Sequence, residues 1–285
     1  MNKRVLLIGG AGFIGSRFCQ LSNYNCEVAD RLTTGDIVRT SPRMNLPRAN
    51  FDSVIFLAAE PNLAAAVANP ERAYKTMTLG LHNCLERYKD SHFVYASSSM
   101  AYGEWTKDVM AETDPCMPTN IYGQLKLLGE GIVKQFHNNW TIVRPSAVYG
   151  PFDKPNRVIN LFINKIQNNE QITLQGADNL FDFTYVDDIA HGLERIVDLK
   201  PQNETYNITR GESHTLQSMT DMLYSKLDAE PNYVAESKPA NYPQRGALDI
   251  TKAKQELGYI PRFDLNRGLD DTIHRLTKSV SGVQN

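Results

Sequence analysis

The sequence predicts an α/β fold, a doubly wound parallel sheet followed by a smaller and less regular C-terminal domain. Two observations carry this. Short β-rich runs alternate with helical stretches through the N-terminal part, the pattern of a parallel sheet with helices on its faces. A Gly/Pro-rich break, "YGPFDKP", then precedes a change of pattern near residue 155. With 285 residues and 41% hydrophobic content the chain can bury one large or two unequal cores. No repeat or low-complexity segment interrupts it.

In chain order, "RVLLI" is a buried strand, and a helix opens at about Phe13. "CEVAD" and "SVIFL" are the next strands, a long helical segment runs to Tyr88, and "HFVYAS" is a fourth strand. A helix from about Asn120 to His137 leads to the strand "WTIVRP". After the break come a helix in "VINLFINKIQNN" and the stretch "FDFTYVDDIAHGLERIV", where Asp187 and Asp188 are read as helix caps. The expected division is 1–155, with about 182–209 returning to the first domain, and 156–285. The polar tail after Lys278 reads as disordered.

Thirty Lys+Arg against 32 Asp+Glu leave a net charge of -2, so neither nucleic acid nor an anionic membrane is an expected partner. Cys19, Cys26, Cys84 and Cys116 lack CxxC spacing and suit a reducing compartment as small buried hydrophobes. The first apolar run, Val5 to Ile8, is too short for a signal or membrane segment, which points to a cytoplasmic protein. On that basis the N-x-T motifs at Asn139, Asn203 and Asn207 are chance matches. The six histidines, at 82, 92, 137, 191, 214 and 274, form no metal-ligand spacing, so no metal is expected.

"GGAGFIG" sets Gly9, Gly12 and Gly15 directly after an apolar strand and at the opening of a helix. Bare backbone admits a pyrophosphate there, and the helix N-terminus offers it free N–H groups. Asp30 ends the next strand, 21 residues after Gly9, where a carboxylate can hold both hydroxyls of an adenosine ribose. It would repel a 2'-phosphate and so favours NAD over NADP. The neighbouring Arg31 could stack on adenine or attract that phosphate.

"FVYASSSMAYG" ends a buried strand on three serines, and "IYGQLK" places Tyr122 and Lys126 four apart on one helix face. A tyrosine titrating near 10 becomes a base at neutral pH only after a shift of about 3 units, about 4 kcal/mol. A lysine one turn away and a cationic nicotinamide ring would supply it.

These segments, with "FLAA", "SSSMAYG", "RPSAVYGP", "FDFTYVDD" and "RGALDITKAKQELGYIP", resemble the extended short-chain dehydrogenase/reductases, specifically the NAD-dependent epimerase/dehydratase family of nucleotide-sugar enzymes. The resemblance runs over almost the whole chain. It implies a Rossmann domain of about seven strands, a small substrate domain, and commonly a homodimer joined through helices at 70–88 and 120–137.

It further implies roles. Gly9, Gly12, Phe13, Ile14 and Gly15 would cradle the NAD pyrophosphate, with Asp30 and Arg31 at the adenosine end. Leu57, Ala58, Ala59 and Pro145, the last beside Ser146, would line the cofactor. Ser98 would bind the sugar oxygen being oxidised, Tyr122 would act as base, and Lys126 would hold the nicotinamide ribose and depress the tyrosine pKa. Ser98, Ser99, Arg157 and Arg245 would contact a nucleotide-diphosphate sugar. Tyr102 and Tyr149, each beside a glycine, are expected to shape the pocket.

The leading expectation is a 4-epimerase that oxidises the sugar at C4 and returns the hydride to the other face. A nucleotide-sugar reductase or dehydrogenase, and a non-enzymatic NAD-binding module, are the alternatives. Family dehydratases carry carboxylates where this chain has Ser99 and Met100, although Glu104 follows closely and could point inward. Met77, Ala147 and Phe181 replace residues usual in the family, and Asn45 replaces an acid. Between Asp30 and "SVIFL" the chain is too short, with Pro42 and Pro47 in it, for a full helix and strand, so that edge is expected to be trimmed.

Overall fold

The computed structural model describes residues 2–31, 46–60, 62–239 and 242–281. Asn45 and Pro42 lie outside the described residues. The chain opens with β1 (Arg4–Ile8), α1 (Phe13–Leu21), β2 (Asn25–Ala29) and β3 (Ser53–Phe56). Next come α2 (Leu63–Ala68), α3 (Pro70–Lys75), a π-helical turn (Thr76–Gly80), α4 (Leu81–Arg87) and β4 (His92–Ala96). A 3₁₀ turn (Ser99–Ala101) and β5 (Val109–Met110) lead to α5 (Ile121–Phe136), β6 (Trp140–Arg144) and β7 (Val148–Tyr149).

The remainder is α6 (Val158–Gln167), β8 (Ile172–Gln175), β9 (Leu180–Phe181), β10 (Thr184–Tyr185), α7 (Val186–Leu199) and β11 (Glu204–Asn207). After it follow β12 (His214–Thr215), α8 (Leu216–Lys226), β13 (Tyr233–Glu236), β14 (Ala247–Leu248), α9 (Thr251–Leu257) and α10 (Leu265–Ser281).

Six strands form one parallel sheet in the order β11-β6-β4-β3-β1-β2. Strand order reverses around β1 and β3, which opens a crevice at their carboxyl ends. Successive residues of one strand feed opposite cores, which is why these strands read as unbroken apolar runs. Val5 and Leu7, with Ile55, Val94 and Val143, pack against Phe18 of α1, Leu193 and Ile196 of α7, and Leu257 of α9. Leu6 and Ile8, with Val54, Phe93 and Ile142, pack against Leu81 and Leu85 of α4 and Val133 of α5. Helices therefore cover both faces, and the α/β expectation is borne out. A third core joins Ile159 and Phe162 of α6, Leu174 of β8, Met219 and Leu223 of α8, and Leu269 of α10.

Three expectations need correction. The sheet has six strands among the described residues where the resemblance implied about seven, and β2 stands at its edge. The segment before Tyr88 is not one helix. Asn62 caps α2 by accepting from the Ala65 amide at 2.9 Å, and Pro70 sits in the first turn of α3, after a break at Asn69. Asp187 and Asp188 do not cap α7. Tyr185 is its N-cap, and its side chain makes no bond to the helix amides. Asp187 instead takes Arg17 of α1 in a fork at 2.6 and 2.7 Å, and Asp188 accepts the amides of Arg262 and Phe263 at 2.7 and 3.0 Å.

Of the cysteines only Cys84 is fully buried, and Cys19, Cys26 and Cys116 are half-buried. Among the described residues no helix is long and apolar enough to cross a membrane.

Candidate active site

The crevice is built first by glycine. Gly9 leaves β1 at φ +80°, in the left-handed region, and its amide donates to Ala29 O at 2.7 Å. A Cβ there would stand 2.7 Å from the Ala58 amide nitrogen, so Leu57 and Ala58, just after β3, press directly on the bare backbone, and Ala59 follows them. A Cβ on Gly15 would reach within 2.6 Å of Gly10 Cα, which fixes how closely α1 follows the loop.

Gly12 is the N-cap of α1, and it has no side chain to spend on the helix amides. Among the described residues its Cβ would meet only Gly9 O within 4 Å, at 3.2 Å. The first turn, opened by the half-buried Phe13 and Ile14, holds no acidic residue. Asp30 is brought to the same loop, where it accepts the Ala11 amide at 3.3 Å, and Arg31 beside it is exposed. An open, uncapped helix N-terminus with a carboxylate at the neighbouring strand end fits a dinucleotide, with its pyrophosphate on α1 and a ribose at Asp30. Across the crevice the buried Ser146 hydroxyl, next to Pro145, has no partner among the described residues.

The serines close β4 in three different ways. Ser97 donates through Oγ to Glu130 Oε1 at 2.5 Å. Ser98 turns to φ -165°, ψ 153° and caps the 3₁₀ turn by accepting the Met100 amide at 3.1 Å. Because that bond uses a lone pair, the Ser98 proton stays available, and the hydroxyl lies close enough to the Tyr122 phenol to draw its pKa down. Ser99 donates its amide to Pro145 O at 2.9 Å, which ties the end of β4 to the end of β6.

Tyr122 and Lys126 stand in the first two turns of α5, which Asn120 caps by accepting the Gly123 amide at 3.0 Å. Lys126 Nζ donates to Ala96 O at 2.6 Å and lies 5.8 Å from the Tyr122 ring and 5.5 Å from the Tyr95 ring. Burial pushes the lysine down to about 8, with Glu130 pulling it back up. Burial likewise pushes Tyr122 above its ordinary value. Arg157, the Ser98 hydroxyl and Arg245 draw it down. Two arginines thus add positive charge near the phenol that the YxxxK spacing does not announce.

Those arginines converge from the C-terminal part. Arg157, the N-cap of α6, reaches Asp153 at 3.3 Å. Arg245 lies 5.3 Å over the Phe181 ring, hydrogen-bonds Met100 Sδ, and keeps a buried Nε without a partner among the described residues. Burial lowers it to about 10. Phe181 is therefore the platform on which Arg245 lies. Met77 is buried with Ala66, Ala73 and Leu125 behind Tyr122. Ala147 occupies φ 34°, a conformation that asparagine adopts at less cost. Glu104 does not point inward. Its Oε2 accepts the Gln244 amide at 2.9 Å on the exposed rim.

Residues 5–209 match the NAD dependent epimerase/dehydratase family. The chain belongs to that family. It is 30% identical to an inferred UDP-glucose 4-epimerase of Methanocaldococcus jannaschii, over 95% of this chain and 97% of the relative. A dTDP-glucose 4,6-dehydratase of Streptomyces niveus is 24% identical over 95% of this chain and 91% of its own. A solved Bacillus cereus UDP-glucuronic acid 4-epimerase, in complex with UDP-glucuronic acid and NAD, superposes with a TM-score of 0.83 at 26% identity, over 97% of this chain and 99% of that one. The chain is accordingly an enzyme of the NAD-dependent epimerase/dehydratase type, and NAD is the family's cofactor.

Sequence reasoning missed several members of this epimerase/dehydratase site. Glu130 and Arg144 form a buried pair behind Lys126, with bonds of 2.7 and 2.9 Å. Glu60, on the loop after β3, forks with Arg72 at 2.5 and 2.9 Å. Asp182, fully buried, collects donors from two separate segments, the loop at Thr209 and Arg210 and the strand at Leu248. A Glu four residues after the lysine of YxxxK was the available signal for the first.

Proposed function

We propose that this chain is an NAD-dependent epimerase of a nucleotide-diphosphate sugar, acting through transient oxidation at C4 to a keto-sugar. The observation that carries the reading is the meeting of Ser98, Tyr122 and Lys126 at the carboxyl end of β4, beside an open glycine loop. NAD, when bound, supplies a hydride acceptor that can give the hydride back. The Ser98 hydroxyl holds the sugar oxygen, and Tyr122 takes its proton and later returns it. Lys126 holds the nicotinamide ribose. The relatives' UDP- and dTDP-sugars make a diphosphate the natural load for Arg157 and Arg245.

Dehydration and decarboxylation in this family would draw on a carboxylate beside the catalytic hydroxyl. Here Ser99 and Met100 fill those positions, Met100 is engaged by Arg245, and Glu104 faces the rim. We also assign the second domain to sugar binding and a homodimer to the helical face. Val67, Tyr74 and Leu79 on the α2 to α4 segment, and Leu128 and Phe136 on α5, are exposed apolar side chains suited to a second copy.

The test is to incubate the protein with UDP-, GDP- and dTDP-hexoses and catalytic NAD and to resolve products by chromatography with mass detection. A new peak of unchanged mass supports epimerisation and names the nucleotide. Loss of water or of carbon dioxide, or a gain or loss of two hydrogens in proportion to the NAD(H) supplied, refutes it in favour of a dehydratase, a decarboxylase or an oxidoreductase.

A further inference from the structure

Behind the candidate site lies a buried ionic cluster that the proposed chemistry does not use. Glu130 is 1% exposed and Arg144 4%. Glu130 Oε1 accepts from Ser97 Oγ at 2.5 Å and from Arg144 Nε at 2.9 Å, while Oε2 accepts Arg144 Nη2 at 2.7 Å. A buried pair of this kind is often no more stabilising than apolar side chains of the same volume. Stability alone does not account for its place.

Its place is informative. Ser97 stands between Ala96, whose carbonyl holds Lys126 Nζ, and Ser98, whose hydroxyl reaches Tyr122. Arg144 directly precedes Pro145, whose carbonyl holds the Ser99 amide. On α5, Tyr122, Lys126 and Glu130 recur every fourth residue along one face. One carboxylate thus grips the strand end that presents the serine, the strand beside it, and the helix that presents the tyrosine and lysine.

We propose that Ser97, Glu130 and Arg144 are positioning residues, a clamp that sets the Ser98, Tyr122 and Lys126 geometry and supplies the negative charge facing the Lys126 ammonium. This rests on the catalytic reading of those three residues. The groups facing Lys126 are Tyr122 and Glu130 from α5 and the Tyr95 ring and Ala96 carbonyl from β4. Glu130 is the anion among them. Arg144, from β6, forks with that carboxylate and lies 4.7 Å from the Tyr102 ring.

Two variants separate the two parts. Ser97→Ala changes no charge and releases only the grip on the strand end. Glu130→Gln combined with Arg144→Met removes the pair together, so that neither partner is left as a lone charge. The readouts are kcat and KM against pH, NAD binding, and NMR titration of protein labelled with 13C at lysine Cε, the Lys126 signal being assigned with Lys126→Arg.

Ser97→Ala should lower kcat roughly tenfold to a hundredfold with NAD binding unchanged and Lys126 titrating as in the parent. The double variant should move the Lys126 titration from about 8 to lower pH, and the high-pH limb of kcat with it. A parental kcat in Ser97→Ala, or a Lys126 titration that stays put in the double variant, overturns the clamp. Should the parent turn over no nucleotide sugar, the proposed function fails, and the NMR titration still decides whether Glu130 governs Lys126.

Discussion

Replacing Asp182 with asparagine is the most direct test of how the C-terminal part is fastened to the sheet. The carboxylate is fully buried. Oδ1 accepts the Arg210 amide at 3.1 Å and Gly211 at 3.3 Å, and Oδ2 accepts Thr209 Oγ1 at 2.8 Å and the Gly211 and Leu248 amides at 3.1 Å each. The side chain thereby joins the turn after β9 to the loop after β11 and to β14. An amide nitrogen at Oδ2 would face three donors. At Oδ1 it would face three, of which Arg210 keeps Thr184 Oγ1 at 3.1 Å, Gly211 keeps Oδ2, and the Thr184 hydroxyl, 3.4 Å from Oδ1, keeps the Asp182 carbonyl at 3.5 Å.

The second orientation is the cheaper one. It forfeits about two hydrogen bonds to a charged group, each worth about 1.5–3 kcal/mol. Burial pushes the Asp182 carboxyl up to about 6 despite its donors, so removing the charge returns part of that loss. A net destabilisation of about 3 kcal/mol follows, a large share of a typical domain's stability of about 5–15 kcal/mol. The assay is urea denaturation at pH 7.5, where the carboxyl is ionised. The midpoint should fall while the slope stays constant. Leu248 lies three residues beyond Arg245, so KM for the nucleotide sugar should rise as well. A midpoint equal to the parent's would refute Asp182 as the fastening group.

Tyr122→Phe should abolish turnover and leave NAD binding nearly unchanged, measured by single-turnover kinetics and fluorescence titration; turnover at the parental rate would remove Tyr122 from the mechanism. Asp30→Ala should weaken NAD more than NADP in the same titration, and equal weakening would show that the ribose contact is misassigned. His92 should produce an acid-side loss of stability. Thr141 Oγ1 spends its proton on Pro201 O at 2.5 Å and so accepts from His92 Nε2 at 2.8 Å, which fixes the neutral tautomer, and burial lowers the imidazole to about 4. Between pH 4 and 6.5 the unfolded chain binds the proton that the folded one refuses. Stability is therefore complete above pH 6.5 and declines by up to about 3 kcal/mol as pH falls to 4. Urea midpoints at the two ends of this window should differ less in His92→Gln than in the parent; an equal difference would acquit His92.

The fold was legible where one residue's environment is set by its own strand or turn. "RVLLI" and "SVIFL" read as buried strands because both faces of each strand are covered, and the glycines after β1 read correctly because φ and close approach are local demands. The interruption of the segment before Tyr88 was also written locally. Pro70 cannot continue a helix through its own nitrogen, and an X-Pro step favours a break. Asp187 and Asp188 were misread because two acids at a helix start suit capping and ion pairing equally well. The choice fell to Arg17, 170 residues earlier, and to the amides of Arg262 and Phe263, which no local pattern announces.

The candidate site divides along the same line. Ser98, Tyr122 and Lys126 are fixed by short spacings on one strand end and one helix, so sequence could bring them together. Their electrostatics could not be read in that way. The spacing places Lys126 one turn from Tyr122, but it does not show that Lys126 Nζ donates to the Ala96 carbonyl, or that Arg157 and Arg245 arrive from 35 and 123 residues after Tyr122 to draw the phenol down. Glu130 was hidden for a related reason. Four residues after a lysine on a helix, a glutamate reads as a solvated pair worth a few tenths of a kcal/mol. Only the sheet, by bringing Arg144 and Ser97 to the same carboxylate, makes it a buried junction on which the strand ends and the helix depend together.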